Sequence, residues 1–243
     1  MPVGFNRELC KKEHNTLRIE LNNLKNCQVT FLTFSVAATG VLLGLIKIFS
    51  SSNYEIFFLA PLTILLPAWS VFLDKAKTIS RIVGYYRIIE GLILDKISVN
   101  KFVGWENALQ IFRDNEPIEM YIKKEAIKKL REKPRFENNQ TSFGRLKAFS
   151  PFRDYLTLVN CIFLCLSVLC MMPAIIFALV NVKSLNANHF IIALVSIIFI
   201  STFVHNSITL RDLLCGKHAY EVNEHFWRYI LEVETHEDEI ESS

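Results

Sequence analysis

The sequence predicts an all-α integral membrane protein in which four transmembrane helices form two hairpins and continue as long helical cytosolic extensions. Hydrophobic residues make up 51% of the 243-residue chain, and they are concentrated in four segments. Each segment is close to the ~20 residues that a helix needs to cross the ~30 Å hydrocarbon core of a bilayer. The polar segments between them alternate between short and long, which is the pattern of two hairpins with external arms.

The first hairpin, residues 27–73, follows a charged N-terminal segment, residues 1–26. In that segment Leu17, Leu21 and Leu24 form an apolar line at helical spacing. Neither Pro nor Gly separates this line from the first span, so we expect one long helix that runs from the cytosol into the membrane.

The second span, residues 56–73, contains Pro61 and Pro67. Each proline removes a backbone donor, so we expect a helix that crosses the membrane with two kinks. The second hairpin, residues 156–205, contains the third and fourth spans, and Pro173 is expected to kink the third.

Two polar segments are expected to be helical and cytosolic. In residues 74–155, Gly104-Trp105-Glu106 opens a short helix and Glu116-Pro117 opens a second one that ends near Glu132, with proline in its first turn. In residues 206–243, the helix of the fourth span is expected to continue without a break toward an acidic tail.

Loop charge predicts the topology. Residues 74–155 carry 17 Lys and Arg against 11 Asp and Glu, whereas residues 206–243 carry 3 against 9. By the positive-inside rule, the basic segment and both termini are cytosolic. The basic segment either pairs with the acidic tail or meets an anion, such as a lipid headgroup, a nucleotide or a nucleic acid.

Small and polar residues of the first span fall on one stripe of a helix. The stripe consists of Thr30, Thr33, Ala37, Gly40, Gly44 and Lys47. Gly40 and Gly44 form a GxxxG motif, whose usual role is close helix packing. The polar members also suit a narrow pore, and a pore built from so small a subunit implies a symmetric homo-oligomer, of which we favour a tetramer. If the stripe is packing, Thr202 and Asn206 of the fourth span are the next candidates.

A basic run ends the second cytosolic helix and enters the loop that follows. We predict that it forms the anion-facing part of the cytosolic domain, through Lys123, Lys124, Lys128, Lys129, Arg131, Lys133 and Arg135. An oligonucleotide bound there should dissociate as salt rises, because binding releases counterions.

No pattern in the sequence predicts an enzyme, a cofactor or a metal site. The chain has no nucleophile elbow, Walker loop, dinucleotide fingerprint or HExxH motif. Cys161 and Cys165 lie one helical turn apart in an apolar span, where buried reduced thiols are expected. The spacing of His218, Glu221 and His225 is typical of a solvated helix face.

The architecture resembles the small four-helix membrane effectors of bacterial anti-phage systems, of the Hailong and Kiwa kind. The resemblance rests on the long arms of each hairpin, the short outer turns, the basic cytosolic segment and the absence of a catalytic motif. A pattern similar to one in bacterial four-span proteins adds to it, namely Gly84-Tyr85-Tyr86-Arg87-Ile88-Ile89-Glu90 followed by Gly104-Trp105-Glu106. It implies a membrane-disrupting effector of the bacterial inner membrane, held shut by a partner or a nucleotide signal. In Hailong-type systems the soluble regulator is nucleotidyltransferase-like and its product is an oligonucleotide.

The sequence therefore predicts an oligomeric inner-membrane channel or membrane-perturbing effector that is gated from the cytosol and embedded in membrane lipid. The alternative is a non-conducting, membrane-anchored interaction module that recruits a soluble partner.

The predicted topology can be tested with reporter fusions. A reporter that is active only in the periplasm should be active after Ser52 and inactive after Gln140, because the basic residues cluster around the second position. The reverse pattern would contradict the whole layout.

Overall fold

The computed structural model describes residues 7–46, 54–94, 97–98, 103–132, 151–180 and 187–235. These residues are almost entirely helical, which confirms the all-α fold class. The helices are α1 Arg7–Leu45, α2 Tyr54–Phe57, α3 Leu62–Ile93, α4 Trp105–Asp114, α5 Glu116–Glu132, α6 Pro151–Val180, α7 Ala187–Cys215 and α8 Tyr220–Ile230. Strands β1 Ile97–Ser98 and β2 Glu234–Thr235 form a two-residue antiparallel ladder in which Ile97 lies opposite Thr235.

Three helices in the described part of the chain are long and apolar enough to cross a membrane. They are α1, residues Tyr155–Val180 of α6, and α7. The number is three and not the predicted four, because residues 56–73 do not form one helix. Helix α2 ends at Phe57 and α3 begins at Leu62. Pro61 has no N–H to donate to the carbonyl of Phe57, and the amide of Ala60 takes that carbonyl at 3.1 Å in a tighter turn.

Two other helix predictions have different outcomes. Helix α1 is uninterrupted, as predicted from the absence of Pro and Gly. The predicted continuation of the fourth span is wrong beyond Cys215, where α7 ends. The amides of Gly216 and His218 both donate to the carbonyl of Asp212, at 3.1 and 3.0 Å, and close the helix. A Cβ at Gly216 would lie 2.8 Å from the Cα of Asp212, so the turn requires glycine.

The chain divides into two compact units. The first, which we call the charged unit, comprises Met1–Lys25, Ala76–Asn139 and Arg211–Ser243, and the second, the apolar unit, comprises Asn26–Lys75 and Gln140–Leu210. The three apolar spans contribute their most hydrophobic stretches to the apolar unit.

An aromatic cluster forms the core of the charged unit. Tyr85 of α3 lies 5.2 Å from Trp105 of α4 and 5.1 Å from Trp227 of α8, measured between ring centroids. Phe112 lies 4.8 Å from Trp227 and meets Phe226 edge-on at 4.9 Å. The Tyr85 hydroxyl donates to the carbonyl of Val103. Tyr85 and Trp105 both come from the sequence pattern noted above, so that pattern supplies part of this core.

Helices α3 and α8 approach closely at Gly84. A Cβ at Gly84 would lie 2.9 Å from the amide nitrogen of Glu224 and 3.0 Å from the carbonyl carbon of Asn223. Beyond this crossing, Arg87 pairs with Glu224 at 3.1 Å, and its guanidinium lies 4.4 Å from the ring centroid of Tyr220.

The apolar unit has an aromatic interior joined by hydrogen bonds between helices. Trp69, Phe72 and Phe163 are fully buried, with 6.2 Å between the ring centroids of Trp69 and Phe163 and 6.0 Å between those of Phe72 and Phe163. The Trp69 indole donates to Asn160 Oδ1 at 2.9 Å, and Gln28 Nε2 donates to the carbonyl of Phe72 at 3.0 Å. These bonds tie α3 to α6 and α1.

The outer surface of the apolar unit is hydrophobic. Large apolar side chains are exposed along α1, α6 and α7, among them Phe34, Val41, Leu169, Leu179, Phe190 and Ile197. Only 6% of the most hydrophobic stretch of α7 is buried within the chain. A surface of this kind fits contact with lipid or with another apolar surface and not with water.

We predict that Gly84→Ala destabilises the charged unit by about 1–3 kcal/mol, the range of core overpacking, because both close atoms belong to the backbone of α8. The matched control is Gly40→Ala, also inside a helix, where a Cβ meets nothing within 4 Å. At an exposed position inside a helix, alanine stabilises the helix by about 1 kcal/mol relative to glycine, so the control should be neutral or stabilising. Thermal unfolding of the monomer in detergent, where no second copy contacts Gly40, measures both, and equal shifts would contradict the close approach of α3 and α8.

Candidate functional site

The small-residue stripe of α1 faces away from the rest of the described chain. Thr30, Thr33, Ala37, Gly40 and Gly44 are all exposed. A Cβ added at Gly40 or Gly44 would meet no atom within 4 Å. The sixth predicted member, Lys47, lies outside the described residues. Packing of the stripe against another described helix of the same chain is therefore excluded.

The Thr30 hydroxyl satisfies its donor within α1. It donates to the carbonyl of Asn26 at 2.9 Å, one helical turn earlier. A hydroxyl bonded in this way can face an apolar neighbour without an unpaired donor. The polarity of the stripe at this position is therefore compatible with a protein or lipid contact as well as with water.

The buried face of α1 carries three polar residues that the sequence analysis missed. Gln28, Ser35 and Thr39 are at most 1% exposed. Ser35 and Thr39 donate to carbonyls of their own helix, those of Phe31 and Ser35, both at 2.7 Å. Part of the signal was present in the sequence, because the apolar line of Leu17, Leu21 and Leu24 reaches Gln28 and Ser35 when it is extended at the same spacing, and Thr39 follows Ser35 by one helical turn.

The other helices of the apolar unit also bury polar side chains, namely Asn160, Ser167, Asn206 and Thr209. Ser70 Oγ donates to Asn206 Oδ1 at 3.4 Å. Ser167 Oγ and Asn206 Nδ2 are buried without a hydrogen-bond partner among the described residues. Asn206, a fallback candidate from the sequence, therefore lies in the interior of this unit.

One residue of the predicted anion-facing run, Lys123, is buried and not exposed to solvent. This side chain is 2% exposed, pairs with Glu119 Oε1 at 2.6 Å, and donates to Asn223 Oδ1 at 2.6 Å. Burial lowers its pKa from the usual lysine value. Lys123 therefore does not face a ligand in solvent.

The rest of the run stays a prediction. Lys124 and Lys128 are exposed. The side chains of Lys129 and Arg131 are not described, and Lys133 and Arg135 lie outside the described residues.

A different group of cations converges around His218, in the turn between α7 and α8. Burial, together with the positive charges of Lys123, Lys217, Lys77 and Arg81, lowers the pKa of His218 to about 3. We call these five residues the basic cluster. They come from α3, α5 and the turn, and only Lys123 belonged to the predicted run.

Buried hydrogen bonds and one aromatic ring fix the geometry of the basic cluster. Asn223, 2% exposed, donates through Nδ2 to Ser80 Oγ at 3.1 Å and to the carbonyl of His218 at 3.3 Å. Arg81 Cζ and Lys123 Nζ lie 4.5 and 5.6 Å from the centroid of the Phe112 ring. Two cations thus share one aromatic ring.

Compared with known proteins, the chain matches no family model, no curated protein and no solved structure. Among the described residues, no group of three or more His, Cys, Asp and Glu side chains is placed to hold a metal ion. The function therefore has to be argued from the geometry of the chain itself.

We predict that Lys123→Ala destabilises the protein by about 3–5 kcal/mol, the range for breaking a buried ion pair, because Glu119 loses its cation and Asn223 Oδ1 loses its donor. Lys124→Ala removes the neighbouring exposed lysine and should stay within about 0.5 kcal/mol of the parent. Denaturant unfolding of the two variants makes the comparison. Equal effects would contradict the buried position of Lys123.

Proposed function

We propose that the chain is a subunit of a homo-oligomeric channel or membrane-perturbing effector of the bacterial inner membrane, gated from the cytosolic side. The observation that carries the proposal is the outward-facing stripe of α1, where Gly40 and Gly44 contact nothing within 4 Å. Glycine weakens a helix by about 1 kcal/mol relative to alanine. At a position that faces lipid, glycine makes no contact that alanine could not also make, so this cost would have no benefit there. A second helix, in contrast, gains close backbone approach at such a surface.

The second helix is that of another copy. A closed ring of identical subunits can bring one stripe from each subunit to a common axis. Thr30 and Thr33 would then make that axis mildly polar, and Lys47 would lie near its outer mouth. An oligomer is needed because one chain of this size encloses little water, and among closed oligomers we favour a tetramer.

The composition of the charged unit supports an even number of membrane crossings. This unit includes residues from the start, the middle and the end of the chain. Segments of one compact unit that meet outside the membrane have to lie on the same side of it, so the chain would cross the membrane an even number of times between them. Both termini would then be cytosolic, in agreement with the clustering of basic residues.

The fourth crossing is made by residues 56–73 as a broken helix. Non-helical backbone is tolerated at membrane depth where it is buried in protein. Leu59, Pro61 and Leu62, at the break between α2 and α3, are all buried within the chain. The break is therefore compatible with a crossing.

The defence role rests on the resemblance to anti-phage effectors. In this role a soluble regulator, such as a nucleotidyltransferase-like protein, or its nucleotide or oligonucleotide product would control opening. The exposed Lys124 and Lys128 remain the predicted contacts of such an anion. We propose no enzymatic activity and no cofactor.

One observation favours the alternative, a non-conducting module that recruits a soluble partner. Helix α5 of the charged unit exposes Ile118, Met120 and Tyr121, with Tyr121 73% exposed. Aromatic and Met side chains are enriched at protein interfaces. This patch could bind a partner whether or not the chain conducts.

Ion flux into liposomes tests the proposal through Gly40→Leu. The substitution meets no described atom of its own chain, so the monomer should fold normally in detergent. It should abolish cross-linked oligomers in the membrane and reduce flux at least about tenfold. Val41→Phe adds bulk one position along, at a side chain that is 63% exposed and off the stripe, and should retain both. A parent protein that folds but is silent would favour the recruiting module.

Thr33→Asp then locates the conduction path. A ring of carboxylates in a hydrated pore should shift selectivity toward cations, and Lys47→Glu should act in the same direction at the mouth. If the stripe instead faced lipid, the charge would cost at least about 2.5–3.5 kcal/mol and the protein should fail to insert. Flux with unchanged ion preference in both variants would contradict the stripe as the path.

A further inference from the structure

We propose that the N-terminal half of α1 binds the same half of a second copy of this chain. The contact is made by an uncharged seam that consists of Thr16, Ile19, Asn23 and Asn26. The inference extends the proposed oligomer beyond the stripe of α1 and to that extent rests on the proposed function. The closing experiment separates a failure of the seam from a failure of the channel.

The seam continues the stripe of α1 toward the N-terminus at the same spacing. From Thr16 to Asn26 its steps are 3, 4 and 3 residues, and a further step of 4 residues reaches Thr30, the first residue of the stripe. Helix α1 runs without a break from Arg7 to Leu45, so the seam and the stripe belong to one helix. Alternating steps of 3 and 4 average 3.5 residues, the period at which helices wind around each other and stay in contact.

The seam lies opposite the face by which α1 packs in its own chain. Leu17 and Leu21 are 1% and 8% exposed. Each is two residues from Ile19, which is about 200° around a helix with 3.6 residues per turn. Ile19 is 63% exposed, and the other residues of the seam are exposed as well. The described part of the chain therefore leaves the seam open.

Exposed charges flank the seam without entering it. Arg18 and Lys25 are exposed, and each lies one or two residues from a member of the seam, whereas the seam itself contains one isoleucine, one threonine and two asparagines. Charged side chains are depleted at the centre of protein interfaces. The pattern therefore fits an interface with the seam at its centre and the charges outside it.

The side chains of the seam favour a second copy as its occupant. Copies that share one topology in the membrane present α1 in parallel, so each residue meets its own counterpart or a close neighbour. The amides of Asn23 and Asn26 both donate and accept, so each can pair with an identical amide. An asparagine at such a position fixes the register of parallel helices. The Thr16 hydroxyl donates to the carbonyl of Lys12 at 3.1 Å and needs no partner from outside the helix.

A photo-activated cross-linker in the full chain, in native membranes, tests the contact. The residue p-benzoylphenylalanine replaces Ile19 or Asn23 on the seam, and Arg18 or Lys25 in the matched control series, which is also exposed but off the seam. Thr33 serves as the reference position on the stripe. Two forms of the chain with different affinity tags are co-expressed, so a product that carries both tags contains a second copy.

The seam positions should give products with both tags, and the control positions should give few, because the reactive group reaches only its immediate neighbours. Ile19→Asp should reduce the products from Asn23 at least about tenfold, because like charges that meet at an interface oppose association. Arg18→Asp adds the same carboxylate off the seam and should stay within about twofold of the parent, as expected for a charge at or beyond the rim. Thermal unfolding of both variants in detergent verifies that they fold.

Products from the seam that join only the same chain, lipid or another protein would overturn the inference, and so would equal effects of Ile19→Asp and Arg18→Asp. If Thr33 still gave products with both tags in that case, the oligomer along the stripe would stand and only the seam would fail. Products with both tags from the seam, together with liposomes that show no flux, would support the seam and contradict the channel.

Discussion

The side-chain amide of Asn223 joins three segments of the charged unit that are far apart in the chain. It accepts from Lys123 of α5 and donates to Ser80 of α3 and to the carbonyl of His218 in the turn before α8. An amide in this position needs every partner, because an unpaired buried donor or acceptor is destabilising. The absence of a side chain at Gly84 lets the backbone of α8 come close enough to α3 for these bonds to form. The aromatic core and the basic cluster both depend on this contact.

Local signals in the sequence predicted much of the fold. The starts of α4 and α5 follow from Gly104-Trp105 and Glu116-Pro117, and α1 follows from the absence of helix breakers. The two errors are a break at Pro61 and an end at Gly216. In both cases the sequence contained the breaking residue, and the choice between a kink and a full break depends on which carbonyls and amides find other partners. That choice is set by tertiary packing and not by the residue alone.

The candidate sites were less accessible to sequence reasoning. The five described residues of the stripe of α1 are all exposed, but helical spacing does not say which face of a helix packs inside. It therefore gave no weight to Gln28, Ser35 and Thr39, which are the buried polar residues. The basic cluster could not be read from spacing at all. Its members come from α3, α5 and the turn before α8, three segments that Asn223 joins.

For the proposed channel, an ion path could run through the polar interior of the apolar unit or along the outward stripe of α1, and the side chains of the interior favour the stripe. Trp69, Phe72 and Phe163 are fully buried and fill the space between the helices. Most interior polar groups already have partners within the chain, as Trp69 has in Asn160, so water would have to displace existing bonds as well as aromatic rings. Along a path between copies at Gly40 and Gly44, water would have to displace neither hydrogen bonds nor aromatic rings. The interior thus suits a rigid scaffold, and this supports the proposal that conduction, where it occurs, follows the surface between subunits.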